Sequence, residues 1–287
     1  MDRLKDLSTV VTGGTRGFGR AMAEAFLAEG ARVMICGRDK ESTNKALEAL
    51  RTQLGSSSAD RVDGLTCDVA EREQVESLAE QTLSRFDRID VWVNNAAISG
   101  PYGQIETIPQ AEFEAVVRTN ILGCYHGTYA ALTRMLPIGR GKIINIAGLG
   151  ANGRPAPFQS PYCASKAWVQ SFTRSVAAEH EDSGVGVFAL SPGMMITDMV
   201  TKVRTTSGEG CRRLEHLPIA LRMIAQPPQI PARRAVWLAS SATDGKTGLV
   251  VRVLTPTRVI ALIAADLARR ATGREKEIPS IDVNGPT

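Results

Sequence analysis

Tyr162 and Lys166 stand four residues apart in the run YCASK, a spacing that places both side chains on one face of a helix. A free phenol titrates near 10, and a neighbouring ammonium favours the phenolate and lowers that value. A phenol placed this way gives a proton to a carbonyl oxygen in one direction and takes it back in the other. The same spacing occurs in many helices by chance, so its meaning rests on the residues around it.

A second chemical feature is TGGTRGFG at 12–19, directly after one apolar run and directly before a helical one. Glycines at 13, 17 and 19 let the backbone turn sharply and let a phosphate approach the helix N-terminus, where free N–H groups and the dipole favour an anion. The glycine spacing is wider than GxGxxG. About 20 residues further on, dinucleotide folds place an acid on the ribose 2′-hydroxyl, but this chain reads CGRD at 36–39. The guanidinium of Arg38 suits a 2′-phosphate, with Arg16 as a second cation, so NADP(H) is expected over NAD(H). The alternative leaves Arg38 in solvent and gives the hydroxyl to Asp39. Asp68, in CDV, can accept from an adenine amino group or cap the helix that follows.

Positioning these groups requires a strand before each loop. Short β-branched runs at 8–12, 31–36, 64–69, 89–95, 142–147, 186–190 and 248–253 alternate with segments of helical period. The helical segments are GRAMAEAFLAEG, KESTNKALEALRTQL, REQVESLAEQTLSRF, QAEFEAVVRTNILGCYHGTYAALTRML and YCASKAWVQSFTRSVAAEHE. Such alternation gives right-handed βαβ units. The expected fold is α/β, a Rossmann-type doubly wound parallel sheet of about seven strands with helices on both faces, in a single domain. Near-continuous apolar strands suit a sheet covered on both sides. Residues 198–231 lack clear periodicity and read as a substrate lid within a domain of residues 1–253. Residues 254–287 read as a C-terminal extension, packed on a neighbouring subunit or beside the site.

Composition narrows the function classes. The 287 residues are 43% hydrophobic and 22% charged, enough for a full core. Stretches of about 18 apolar residues are absent and the first residues lack a signal-peptide pattern, so a soluble cytoplasmic protein with no membrane partner is expected. Five widely spaced cysteines without CxxC argue against both a metal site and a disulfide framework. The net charge of +4 comes from dispersed Lys and Arg, which argues against a nucleic-acid partner.

Taken in order, TGGTRGFG, CDV, NNAA (94–97), Asn120, YCASK and SPGMMIT (191–197) closely resemble the short-chain dehydrogenase/reductase family over residues 5–253. The resemblance implies hydride transfer between a nicotinamide and a carbonyl or alcohol carbon. It implies Tyr162 as acid/base and Lys166 on the nicotinamide ribose, lowering the Tyr162 pKa. Asn120 would hold a water that connects Lys166 to solvent. The cofactor would be lined by Gly13, Thr15, Arg16, Gly17, Phe18, Gly19, Arg38, Asp68, Val69, Asn94, Ala96, Tyr162, Lys166, Pro192, Gly193 and Thr197. Of these, the NNAA run would stabilise the central sheet, Pro192 and Gly193 would shape the nicotinamide pocket, and Thr197 would contact the carboxamide. The likeness also implies a homotetramer or homodimer built from helices around 105–135 and 160–181.

One departure stands out. The family carries a Ser about 13 residues before the Tyr, in a run such as NISS, whose hydroxyl orients the substrate oxygen. This chain reads NIAG, with Ala147 and Gly148. Losing such a donor commonly costs on the order of 10²- to 10³-fold in rate, about 3 to 4 kcal/mol. Asn152, Gln159, Ser160, a backbone N–H or a water are candidate substitutes. The leading expectation is an NADPH-dependent reductase of a hydrophobic substrate, a polycyclic one included, since the lid holds Met199, Val203, Leu214, Leu217, Ile219, Leu221, Met223 and Ile224. The alternatives are an NADP(H)-binding protein with a non-redox or regulatory role, or a fold serving only as an assembly surface.

Overall fold

A computed structural model describes residues 2–274 and 277–285. Seven parallel strands form one sheet: β1 (Ser8–Thr12), β2 (Arg32–Gly37), β3 (Val62–Thr66), β4 (Val91–Asn94), β5 (Gly141–Ile146), β6 (Val185–Ser191) and β8 (Val250–Arg252), in the order β3-β2-β1-β4-β5-β6-β8. The intervening helices are α1 (Gly17–Ala28), α2 (Lys40–Leu54), α3 (Arg72–Phe86), α4 (Gln110–Val116), α5 (Gly123–Met135), α6 (Ser160–Glu179) and α10 (Gln229–Ala239). The expected doubly wound α/β fold is the observed one.

Alternation along each strand divides the core into two. Val11, Val33, Ile35, Val93 and Ile144 face Phe26 of α1 and Ala235 of α10, whereas Val10, Met34, Trp92, Ile143 and Val187 face Leu78 of α3, Ala130 of α5 and Val176 of α6. Each face buries large apolar side chains, at roughly 1.5–3 kcal/mol apiece, so the strands cannot slip by one residue without exposing both sets. The direction of winding reverses between β1 and β4, which opens a crevice at their C-terminal ends, the place where ligands bind in such sheets.

Two regions depart from the sequence expectations. The long helical pattern at 110–136 is one continuous rod only in appearance: α4 and α5 are separated by a π-helical segment at Val117–Leu122, a feature that gathers at functional sites. The aperiodic lid contains α7 (Asp198–Thr201), β7 (Lys202–Arg204), α8 (Gly208–Leu214) and α9 (Leu217–Ile224). Beyond the sheet come α11 (Pro256–Ala271) and β9 (Asp282–Asn284). β9 pairs in parallel with β7, Lys202 opposite Asp282 and Arg204 opposite Asn284. Arg222 of α9 meets Asp266 of α11 at 3.1 Å, with side chains only 5% and 1% exposed. The C-terminal segment is thereby laced into the lid at two points. Among the described residues no helix is long and apolar enough to cross a membrane, and all five cysteines are free thiols.

Candidate active site

The crevice is lined first by the turn after β1. Gly13 and Gly17 adopt φ of 63° and 56°, values open to glycine at little cost. A side chain at Gly19 would run into the Gly13 carbonyl and the Asn95 amide. α1 begins at Arg16 with no side-chain cap and no acid in its first turn, which leaves its N–H groups available to an anion. Phe18 is a core residue, so only its backbone faces outward. Asn95 fastens the turn from below, with its Nδ2 donating to the carbonyls of Thr12 at 2.8 Å and Gly13 at 3.2 Å. Thr12 Oγ1 in turn accepts from the backbone of Asn95 and of Ala96. Sequence reasoning singled out Asn94, yet the Asn94 amide is spent inside the sheet: it accepts from Trp92 Nε1 at 2.8 Å and donates to Asn145 at 2.8 Å and Thr128 at 3.0 Å. The residue beside it does the work on the glycine turn.

At the end of β2, the Thr15 methyl group occupies the space where a side chain at Gly37 would start. Arg38 is exposed, with no hydrogen bond or ion pair among the described residues. Asp39 caps α2, accepting from Ser42 N–H at 2.7 Å, and that bond together with the Ser42 hydroxyl holds its carboxyl below the usual range. Past β3, Asp68 Oδ1 accepts from Ala70 N–H at 3.0 Å, while the cap position of α3 belongs to Glu71. Val69 is buried and fills the space beside Gly123. On the opposite rim Pro192 is buried and Gly193 has φ of 82°, where a side chain would strike Leu254. The Thr197 methyl lies 3.6 Å from the β-carbon position of Gly17, and Asp198 pairs loosely with Arg16 at 3.6 Å. The lid base and the glycine turn therefore stand face to face across the groove.

The chemical pair lies on α6, whose second residue is Pro161. Lys166 is 3% exposed; its Nζ donates to the Ile146 carbonyl at 2.9 Å and sits 5.8 Å from the centre of the Tyr162 ring. Burial pulls the Lys166 ammonium down to about 8, partly opposed by the Cys124 thiol. Burial pushes the Tyr162 phenol up, helped by Cys163 and Tyr102. The expected lowering by Lys166 is not among the influences on the phenol here. The ammonium donates to the Ile146 carbonyl, and desolvation of the phenol prevails. The Tyr162 hydroxyl is thus a protonated acid at neutral pH. Asn120 lies in the π-helical segment, accepting from Ile98 N–H and donating to Ile98 C=O, both at 2.9 Å, and reaching Ser165 Oγ at 3.0 Å. Ser165 passes the link to the Tyr162 carbonyl at 2.7 Å. Nothing in the sequence pattern singles out Ser165, whose link between Asn120 and Tyr162 emerges only in the folded helix.

Gly148 sits directly beside this acid: a β-carbon there would lie 2.9 Å from the Tyr162 hydroxyl oxygen. Of the candidate substitutes, Asn152 is exposed and its side chain accepts from Arg154 N–H at 3.2 Å. Ser160 is exposed and lines a separate groove with Pro155, Pro157 and Cys163. Gln159 is buried to 7% exposure and does not cap α6.

A family profile described as short chain dehydrogenase matches residues 8–208. The chain belongs to the short-chain dehydrogenase/reductase family. That family is one of oxidoreductases that work with a nicotinamide cofactor. It is 37% identical over 245 residues to the 3-oxoacyl-[acyl-carrier-protein] reductase of Haemophilus influenzae, covering 85% of this chain and 95% of that one. It is 37% identical over 206 residues to a chloroplastic chlorophyll(ide) b reductase of Oryza sativa subsp. japonica, covering 69% of this chain and 59% of that one. Four such chlorophyll(ide) b reductases match, and the chain spans 53% to 63% of their lengths. Among solved structures, the 3-ketoacyl-(acyl-carrier-protein) reductase of Brucella melitensis complexed with NADH superposes with a TM-score of 0.74 at 29% identity, over 87% of this chain and 97% of that one.

Proposed function

We propose that this short-chain dehydrogenase/reductase reduces a carbonyl on a large, hydrophobic, polycyclic substrate with NADPH, and that the substrate belongs to the class of chlorophyll(ide) b. The observation that carries the reading is the half-buried, protonated Tyr162 hydroxyl lying so close to Gly148 that no side chain fits between the acid and the backbone there. A planar carbonyl substrate can then approach the phenol edge-on. The cofactor supplies the hydride. Tyr162 gives its proton to the carbonyl oxygen, Lys166 holds the nicotinamide ribose, and Asn120 anchors the water through which the Tyr proton is replaced. Arg38, just past β2 and without a hydrogen bond or ion pair among the described residues, meets the 2′-phosphate, with Arg16 as a second cation. The four chlorophyll(ide) b reductases among the relatives support the substrate class. The outward-facing Tyr125, Tyr129, Phe113 and Leu122, beside the stacked Trp168 and Phe172, support a homo-oligomer formed on α5 and α6, which sedimentation of the purified chain tests.

The first experiment follows NADPH oxidation, with NADH in parallel, across aliphatic, aryl, steroid-like and polycyclic carbonyls including chlorophyllide b. Turnover by wild type and its loss in Tyr162→Phe, with NADPH binding intact, is the expected result. The missing hydroxyl at Gly148 favours one second reading, an NADP(H)-binding protein with non-redox chemistry. Tight NADPH binding with no turnover of any carbonyl would select it.

A further inference from the structure

Gly148 leaves the site without a neutral donor to hold the substrate oxygen while Tyr162 transfers its proton. We propose that the Tyr102 hydroxyl is that donor, a second phenol bonding the same oxygen. The inference rests on the carbonyl-reductase reading above.

Three attachments fix Tyr102 at the meeting point of the site's walls. It lies in the loop between β4 and α4, at the end of the sheet where the crevice opens. Its N–H donates to the Arg204 carbonyl at 2.8 Å and its carbonyl accepts from Thr206 N–H at 2.9 Å, which ties it to the lid strand β7. The next residue, Gly103, donates to the Phe158 carbonyl at 3.0 Å, which ties it to the entry of α6, four residues before Tyr162. Phe158 accepts this geometry at φ of 69°, a left-handed conformation that a bulky residue adopts only when its surroundings impose it.

With its backbone held on both sides, the Tyr102 side chain is half-buried, and its hydroxyl has no hydrogen-bond partner among the described residues. The Tyr162 hydroxyl has none either. The two rings share one electrostatic environment: a charge at Tyr102 opposes a charge at Tyr162, and burial with the neighbouring Cys163 lifts Tyr102 to about 12. A phenol kept neutral in this way is a donor across the whole working pH range. Tyr102 gives up no proton in the reaction. The hydride goes to the carbonyl carbon, the Tyr162 proton goes to the oxygen, and Tyr102 only bonds the developing negative charge, as the absent serine would.

Tyr102→Phe deletes one oxygen and keeps the ring. In the full chain with NADPH and the best carbonyl substrate, kcat is expected to fall by about 10²- to 10³-fold with KM within about threefold. NADPH affinity, followed by fluorescence, stays unchanged. The deuterium isotope effect from 4-deuterated NADPH rises, because hydride transfer becomes the slow step, a change that a loosened lid would not produce. A kcat within about threefold of an active wild type, or a loss confined to KM, overturns the inference while leaving the reductase reading intact. So does a silent Tyr102→Phe beside a crippled Gln159→Ala, which would hand the role to the other unpartnered side chain nearby. A wild type that binds NADPH and turns over no carbonyl defeats the reading and this inference together.

Discussion

Tyr162 and Gly148 compete for one place: any β-carbon at 148 would begin 2.9 Å from the phenol oxygen. Real carbon and oxygen atoms without a hydrogen bond do not stay that close, so a side chain there has to displace the acid. Gly148→Ala and Gly148→Ser are therefore both expected to lower kcat by about 10-fold or more, a barrier increase of about 1.4 kcal/mol. A Ser variant that instead gains activity on small ketones would show the glycine to be a lost serine and not a vacated space.

Lys166 gives the cofactor-free protein a specific pH signature. Its folded value of about 8 lies below its ordinary 10.5, so between those limits the unfolded chain binds more protons than the folded one. Stability then rises with pH across that window, and the cost of the buried charge is fully present below about 8. Thermal melts of wild type and Lys166→Met at pH 7 to 10.5 should show the difference moving in the wild type's favour as pH rises. Parallel curves would mean that the ammonium is not desolvated.

Arg38 should discriminate between the two nicotinamide dinucleotides. A charge-assisted bond to a phosphate is worth about 1.5–3 kcal/mol, so Arg38→Ala is expected to raise KM for NADPH by about 10-fold or more. The KM for NADH should stay within about threefold. Equal effects on both would place the side chain outside the 2′-phosphate site and return Asp39 to consideration.

Arg222 and Asp266 join the lid to α11 where water is excluded. Removing one charge strands the other, at a typical cost of 3–5 kcal/mol, whereas replacing both by apolar groups is often neutral or better. Arg222→Met should lower the denaturation midpoint and open the lid to protease. Arg222→Met combined with Asp266→Leu should recover most of the loss, as read by urea unfolding.

The sequence made the sheet legible because each long strand is an apolar run followed by its own helix. STVVT became β1, and KESTNKALEALRTQL and REQVESLAEQTLSRF became α2 and α3 residue for residue. Tyr162 and Lys166 share a face of α6 because the sequence sets that helix's phase, and Asn120 reaches them through Ser165. What stayed hidden depends on distant partners. A three-residue strand such as β7 has no period to detect, and β9, its partner, lies far along the chain. The π-helical turn around Asn120 adds one residue to a ring and leaves the apolar pattern almost untouched. Tyr102 was invisible for the same reason, since a lone tyrosine in a loop gains meaning only when β7 and Phe158 clamp it.

The β7–β9 pairing also fixes an order of assembly. A ribosome releases the glycine turn, Tyr162 and Lys166 before it has made residues 282–284, and domains generally begin to fold as they emerge. The glycine turn and the Tyr162–Lys166 pair can thus be in place in a chain whose strand β7 still lacks β9. A nascent molecule, or one cleaved between α11 and residue 282, would keep the glycine turn and the Tyr162–Lys166 pair while β7 waits without its partner strand.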